Sequence, residues 1–206
     1  MICKIHDKIK ETAGQLFSRY GIRSVSMDDI ARELSISKKT IYQNFKDKDQ
    51  IVMMGVEQHI EKEKKEFGEV MRDAENAIDE ILRFSKCLRK NIAEVNPTVL
   101  FDLRKFHPQA WEKWLSFKND FIKRTVLCTI ERGKKEGLFR EEIKADILAT
   151  YRIETIEMTF DPKIFSTEKY EFIELQMELL EHFVRGMLTR KGYDVYEELN
   201  NTINNE

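Results

Sequence analysis

The sequence predicts an all-α protein, and three observations carry the prediction. Apolar residues recur at three- and four-residue spacing along most of the chain, the pattern of amphipathic helices. Only 3 prolines and 8 glycines punctuate 206 residues, too few for the many turns of a strand-rich fold. Helix-starting and helix-stopping residues also fall where the periodic runs begin and end. The length suits one large or two small domains.

The elements follow in order. "KIHDKIKETAGQLFSRYG" places Ile5, Ile9, Ala13, Leu16, Phe17 and Tyr20 on one stripe, with Gly21 to end the helix. Ser26 and Asp29 form a capping-box pattern at the head of a short helix whose apolar set is Met27, Ile30, Ala31 and Leu34. A third short helix, "KKTIYQNF", has Ser37 as N-cap and turns Ile41 and Phe45 inward. Asp47 caps a fourth, with Gln50 at its third position, running toward Gly68. A helix over about 73–94 carries Ile78, Ile81, Leu82, Leu88 and Ile92. Asn96 and Pro97 open the next, and Pro108 ends it after His107 and starts a long one that Gly137 stops. "IKADILATYRIETIEMTF" closes at Asp161-Pro162. A last helix is expected over about 167–191, ended by Gly192, with a polar, disordered tail from about 193.

Charge narrows the function. The net charge is −2, but residues 1–50 hold 10 Lys/Arg against 7 Asp/Glu, while the remainder is acidic. That asymmetry points to an N-terminal segment facing an anion. No 18-residue apolar run exists, so no transmembrane helix is expected. The first residues lack the apolar core of a signal peptide. Cys3, Cys87 and Cys128 suit reduced thiols in a cytoplasm, Cys87 and Cys128 as small buried apolar residues. His6, His59, His107 and His182 lack ligand-type partners at helical spacing, so no metal site is expected. No phosphate loop, nucleophile elbow or clustered carboxylate pair is present, which leaves no cofactor and no catalytic residues to name.

The second and third helices, joined by a short turn, read as a helix-turn-helix. Such a recognition helix enters the major groove N-terminus first, so its first turns carry the reading groups. Lys38 and Lys39 neutralise phosphates or donate to guanine. Thr40 and Tyr42 offer hydroxyls, and Gln43 can read an adenine edge. Helix N-termini attract phosphate, which adds Ser26, Met27 and Ser37, and Lys48 supplies a cation just inside the fourth helix.

"SMDDIARELSISKKTIYQNFKDKDQIV" resembles the DNA-binding signature of the tetracycline-repressor (TetR) family of bacterial regulators. Ile30, Ala31, Ile36, Ser37, Thr40, Tyr42, Phe45 and Lys48 fall in register, over roughly residues 5–55. Two positions depart from the family pattern. Ser35 stands where it has Gly, at a cost of roughly 1 kcal/mol if φ must be positive. Asn44 replaces an aromatic.

The resemblance implies a helix-turn-helix head of three helices, residues 1–50. A larger helical domain over 51–206, for ligand binding and dimerisation, completes about nine helices. It also implies a cytoplasmic homodimer on a near-palindromic double-stranded operator, released by a small-molecule effector. The candidate pocket rests on aromatic density: six of the chain's 21 aromatics lie within 101–121. Phe84, Phe101, Arg104, Trp114, Phe117, Phe121 and Tyr151 are its residues, Arg104 and Glu154 could anchor polar groups, and a packed aromatic core is the alternative. The effector is then apolar or aromatic. The last helix is apolar on more than one face, so Phe172, Leu175, Leu179, Phe183, Gly186 and Met187 are the candidate dimer interface. The alternatives are an activator, a ligand-independent regulator, an enzyme using the aromatic pocket, or a purely structural helical dimer.

Overall fold

The structure, a computed structural model, describes residues 2–93, 96, 98–161, 163–166 and 168–204. The described residues form eleven α-helices and no strand: α1 (Ile2–Tyr20), α2 (Met27–Glu33), α3 (Lys38–Tyr42), α4 (Lys48–Asp73), α5 (Ala77–Ala93), α6 (Thr98–Phe106), α7 (Pro108–Ser116), α8 (Lys123–Lys135), α9 (Ala145–Met158), α10 (Phe172–Arg185) and α11 (Arg190–Asn204). A π-helical segment, Phe117–Ile122, joins α7 to α8, so ten continuous helices stand against about nine expected. Pro97 and Pro162, expected at helix boundaries, lie outside the described residues.

The chain gathers into two compact units. The first comprises Met1–Glu63 and Ile92–Ser116, the second Lys64–Asn91 and Phe117–Glu206.

In the first unit, Ile9, Ala13, Phe17, Ile30, Ile41, Phe45 and Ile51 form a dry centre. Gly21 ends α1 with φ 81°, its N–H on the Phe17 carbonyl at 2.9 Å, and a Cβ there would sit 2.6 Å from Thr98 Oγ1. That close approach lets α6 sit against the α1–α2 turn. Buried Asp102 on α6 accepts from the Arg23 N–H at 2.8 Å, and Asn96 Nδ2 donates to the Arg19 carbonyl at 3.3 Å. His107 Nδ1 meets Asp49 Oδ1 at 2.6 Å, tying the end of α6 to the first turn of α4.

The second unit centres on Ile78, Leu82, Ile130, Leu138, Phe139, Ala149, Phe183, Val184, Met187 and Leu188. Gly137 takes φ 70° after α8, and the following loop pairs with the end of α10 through Arg140 N–H to Met187 O and Thr189 N–H to Leu138 O, both 2.9 Å. Arg132 on α8 donates to Glu80 at 2.9 Å and Glu136 at 2.8 Å, and Glu80 also accepts from Thr129 at 2.6 Å.

The C-terminus departs from expectation. The helix expected over 167–191 ends at Gly186, and α11 begins at Arg190. Gly192 stops nothing. It lies in the first turn of α11, its N–H bonded to Thr189 Oγ1 at 3.0 Å, and a Cβ there would meet the Leu138 carbonyl at 2.1 Å. The glycine serves close approach rather than termination. The expected disordered tail is helical as far as Asn204, because its Val195, Tyr196 and Leu199 pack against the core.

Candidate nucleic-acid interface

The head is built by its caps. Ser26 Oγ accepts from the Asp29 N–H at 3.2 Å, while Asp29 Oδ2 accepts from the Ser26 N–H at 2.9 Å and hydroxyl at 2.6 Å. This closes the capping box expected for α2. These donors hold the Asp29 carboxyl below its ordinary value, the Ser26 hydroxyl contributing most. α2 ends in a Schellman arrangement, with Ile36 N–H on Ala31 O at 3.0 Å and Ser35 N–H on Arg32 O at 3.1 Å. Ser35 takes φ 53°, so the left-handed position of the family's glycine is kept with a side chain in place.

Ser37 then caps α3, accepting from the Thr40 N–H at 3.1 Å and meeting the Thr40 hydroxyl at 2.8 Å. Ile41 and Phe45 anchor α3 in the core, and His6 stacks on Phe45 at 4.5 Å. This packing turns the other face outward. Lys38, Lys39, Tyr42 and Gln43 are exposed and Thr40 is half-buried. Asn44 Nδ2 donates to the Thr40 carbonyl at 2.8 Å, so the departure at this position closes the end of α3. Asp47 Oδ1 caps α4 by accepting from the Gln50 N–H at 2.9 Å, and Gln50 reaches back to the Lys46 N–H at 2.8 Å.

Four candidates are placed otherwise than expected. Met27 is only 8% exposed, so its side chain belongs to the head's core, and only its backbone N–H stands at the helix end. Lys38 is engaged with Asp28 at 3.0 Å, which raises its pKa. Lys48 is half-buried: its ammonium donates to the Ile22 carbonyl at 2.5 Å and lies 5.7 Å from the centre of the Phe17 ring. Burial lowers its pKa, against nearby Asp102, Asp49 and Asp29. Thr40 has its hydroxyl in the Ser37 cap. Lys39, Tyr42 and Gln43 stand in the open. Sequence reasoning passed over Lys46, an exposed cation in the turn between α3 and α4 beside the α4 N-terminus.

The pocket candidates divide between the units. In the first, Phe101 and Arg104 are exposed on α6, while Trp114 is buried and stacks on Trp111 at 5.0 Å. In the second, Phe84, Phe117 and Phe121 do gather, through Phe67: Phe67–Phe84 is 4.5 Å, Phe67–Phe121 6.0 Å and Phe117–Phe121 5.4 Å. Phe117 is buried and the other three rings are half-buried. Tyr151 points outward, 48% exposed. Glu154 pairs with Lys118 at 3.8 Å, and Lys118 also meets Glu157. Phe67 and Arg152 were missed. Phe67 is isolated among charges in sequence, and Arg152 reads as one polar residue in an apolar run.

Among the dimer candidates, Phe183 and Met187 are buried within the second unit, their surfaces already spent on its core. Phe172, Leu175 and Leu179 are half-buried and Gly186 exposed. Exposed Ile147, Tyr151 and Met158, spaced along α9, add apolar surface that the candidate set lacked.

Among the described residues, no group of three His, Cys, Asp or Glu is placed to hold a metal, and no helix is long and apolar enough to cross a membrane. His59 does have a helical partner, Glu63, at 3.5 Å. Cys128 is exposed rather than buried, and burial pushes the half-buried Cys87 thiol up.

A capped helix-turn-helix that presents amide, phenol and ammonium groups on an otherwise helical chain defines a DNA-binding regulator. Residues 9–53 match the family described as bacterial regulatory proteins, tetR family. The uncharacterized HTH-type transcriptional regulator YvaF of Bacillus subtilis (strain 168) is 28% identical over 144 residues, 68% of this chain and 73% of that protein. Two crystal structures share the fold. A candidate transcriptional regulator from Saccharomonospora viridis, in complex with choline, has a TM-score of 0.75 at 21% identity, covering 91% of this chain and all of that one. A TetR-family regulator from Agrobacterium tumefaciens has a TM-score of 0.73 at 16% identity, covering 92% of this chain and 100% of its own. The protein is a TetR-family transcriptional regulator, and not an enzyme.

Proposed function

We propose that this regulator is a cytoplasmic repressor which binds a near-palindromic operator as a homodimer and leaves it when a small molecule occupies the second unit. The observation that carries the reading is the outward face of α3. Lys39, Tyr42 and Gln43 stand exposed on a helix whose opposite face is locked by Ile41 and Phe45. In this reading Gln43 reads a base edge. Lys39, Tyr42 and Lys46 hold phosphates with the helix N-termini headed by Ser26 and Ser37, and Lys38 joins them by exchanging Asp28 for phosphate. The functional division runs between a head of residues 1–50 and a ligand-binding and dimerising body from residue 51.

Two observations favour a ligand and a dimer. The Saccharomonospora viridis relative in fold is described with choline bound, so a chain of this shape can hold a small molecule. The apolar residues open on α9 and α10 suit a second copy of the chain, with Leu175, Leu179 and Gly186 beside Ile147, Tyr151 and Met158. Effector binding then acts by population shift, favouring a dimer state in which the two recognition helices no longer match the operator spacing.

Footprinting on the DNA upstream of the protein's own gene tests the reading. Protection of two symmetric half-sites, lost on adding an effector, is expected. Binding as a monomer, or a footprint indifferent to every compound that binds the protein, would overturn it.

A further inference from the structure

Arg152 on α9 is 4% exposed, and its Nη1 reaches neither acceptor nor solvent. The other cations at the heart of this unit are answered by carboxylates: Lys118 by Glu157 and Glu154, Arg132 by Glu80 and Glu136, and Arg185 by Glu181 and Glu197. Arg152 meets no carboxylate among the described residues. Burial pulls its pKa down to about 10, which still leaves it protonated at neutral pH. A cation withdrawn from water without a counterion is costly to keep. The absent partner must carry negative charge.

Its surroundings describe the rest of that partner. The π-helical segment and α9 pack together, pinned by Lys118 on Glu157. The short connection from α8 to α9 makes the pair antiparallel. Arg152, five residues before Glu157, is therefore level with the turn after Lys118, which carries Phe121 and Thr125. Phe121 belongs to the ring cluster with Phe67, Phe84 and Phe117, three of whose rings are incompletely covered. Segments of π-helix are often found at functional sites. One guanidinium balances one negative charge, so a carboxylate fits better than a phosphate dianion, and a quaternary ammonium is repelled.

We propose that the second unit binds a monocarboxylate with an apolar or aromatic body, its carboxylate on the Arg152 guanidinium and its body against Phe67, Phe84 and Phe121. This names the chemical class of the effector and rests on the ligand-responsive reading above. Arg152 is the specificity-determining residue, since a planar guanidinium matches a carboxylate in geometry as well as charge.

Thermal-shift titration of the full chain with octanoate and 4-phenylbutyrate, each against its primary amide and against tetramethylammonium, tests the site. Both carboxylates should raise the wild-type Tm saturably, and the amides and tetramethylammonium should not. Arg152→Met should melt no lower than wild type without ligand, because it removes an unpaired charge, and should lose the carboxylate response. Arg152→Lys should bind about tenfold more weakly than wild type, the equivalent of one charge-assisted hydrogen bond. The proposal is overturned if neither carboxylate shifts the wild type, if the amides act equally, or if Arg152→Met responds like wild type. Should the Met variant not fold, unweakened binding by Arg152→Lys overturns it instead. Operator affinity, measured alongside, separates this inference from the reading beneath it. Carboxylates that bind through Arg152 yet leave operator affinity unchanged uphold the site and sink the effector reading. Operator release by an amide or by tetramethylammonium, undisturbed in Arg152→Met, does the reverse.

Discussion

Lys48 offers a choice between two roles that one variant can separate. Its position in the family pattern suggests a phosphate contact, whereas its ammonium is tied to the Ile22 carbonyl at 2.5 Å. Lys48→Met keeps most of the stem packed over Phe17 and removes only the charged donor. A hydrogen bond from a charged donor contributes about 1.5–3 kcal/mol, and partial solvent exposure trims this one to about 1–2 kcal/mol. In a chain of this size each kcal/mol moves Tm by about 2–4 °C, so the variant should melt about 2–8 °C lower. Its effect on DNA should come through a loosened head. Fluorescence anisotropy with a labelled duplex over a salt series should show weaker binding with the wild-type salt slope, whereas Lys39→Ala should lower the slope by about 0.9. An unchanged Tm with a slope reduced by about one would refute the structural tie and restore the phosphate contact.

Three further outcomes follow from local geometry. Ser35→Gly relieves a side chain at φ 53°; the relief of about 1 kcal/mol is partly offset by a more flexible unfolded chain, so the denaturant midpoint should rise slightly, and a fall would deny the strain. Gly192→Ala drives a Cβ to 2.1 Å from the Leu138 carbonyl, which cannot yield like a side-chain end; a loss of about 1–3 kcal/mol is expected, with hydrogen exchange rising in α11, and a neutral result would mean that α11 is not docked there. The Asp29 carboxyl lies below its ordinary 3.8 in the folded head, so its stabilisation is present above that value and fades as pH falls through the lower folded value. Wild type should accordingly outlast Asp29→Asn in thermal melts near neutrality and converge with it in strong acid; an unchanged gap there would rule out the linkage.

What the sequence made legible is what local chemistry determines. The caps at Ser26, Ser37 and Asp47, the stop at Gly21 and the inward pair Ile41 and Phe45 each depend on neighbours a few residues away, and each is in place. The strained turn was legible too, because a serine at a glycine position is a local anomaly. Long-range pairings were not. Lys48 reaches a carbonyl 26 positions away, and Asp102 an N–H 79 positions away. Gly192 misled for the same reason: its cause is Leu138, distant in sequence, while a stop signal is the local reading. The ring cluster was half visible, since composition marks aromatic density but cannot tell which rings face Phe67. Phe183 and Met187 show the limit of periodicity, which identifies apolar faces without saying which one the unit's own core takes.

The central claim is that α3 reads DNA sequence. Selection from a pool of random duplexes with wild type and Gln43→Ala, followed by competition against non-specific DNA, tests it most directly. The account predicts that wild type enriches a near-palindromic site whose half-sites lie about one helical turn, or a multiple, apart, and that Gln43→Ala relaxes one base position in each half-site at a cost of about 1–3 kcal/mol while leaving non-specific affinity unchanged. Failure to enrich any site, or equal weakening of specific and random duplexes by Gln43→Ala, would contradict it.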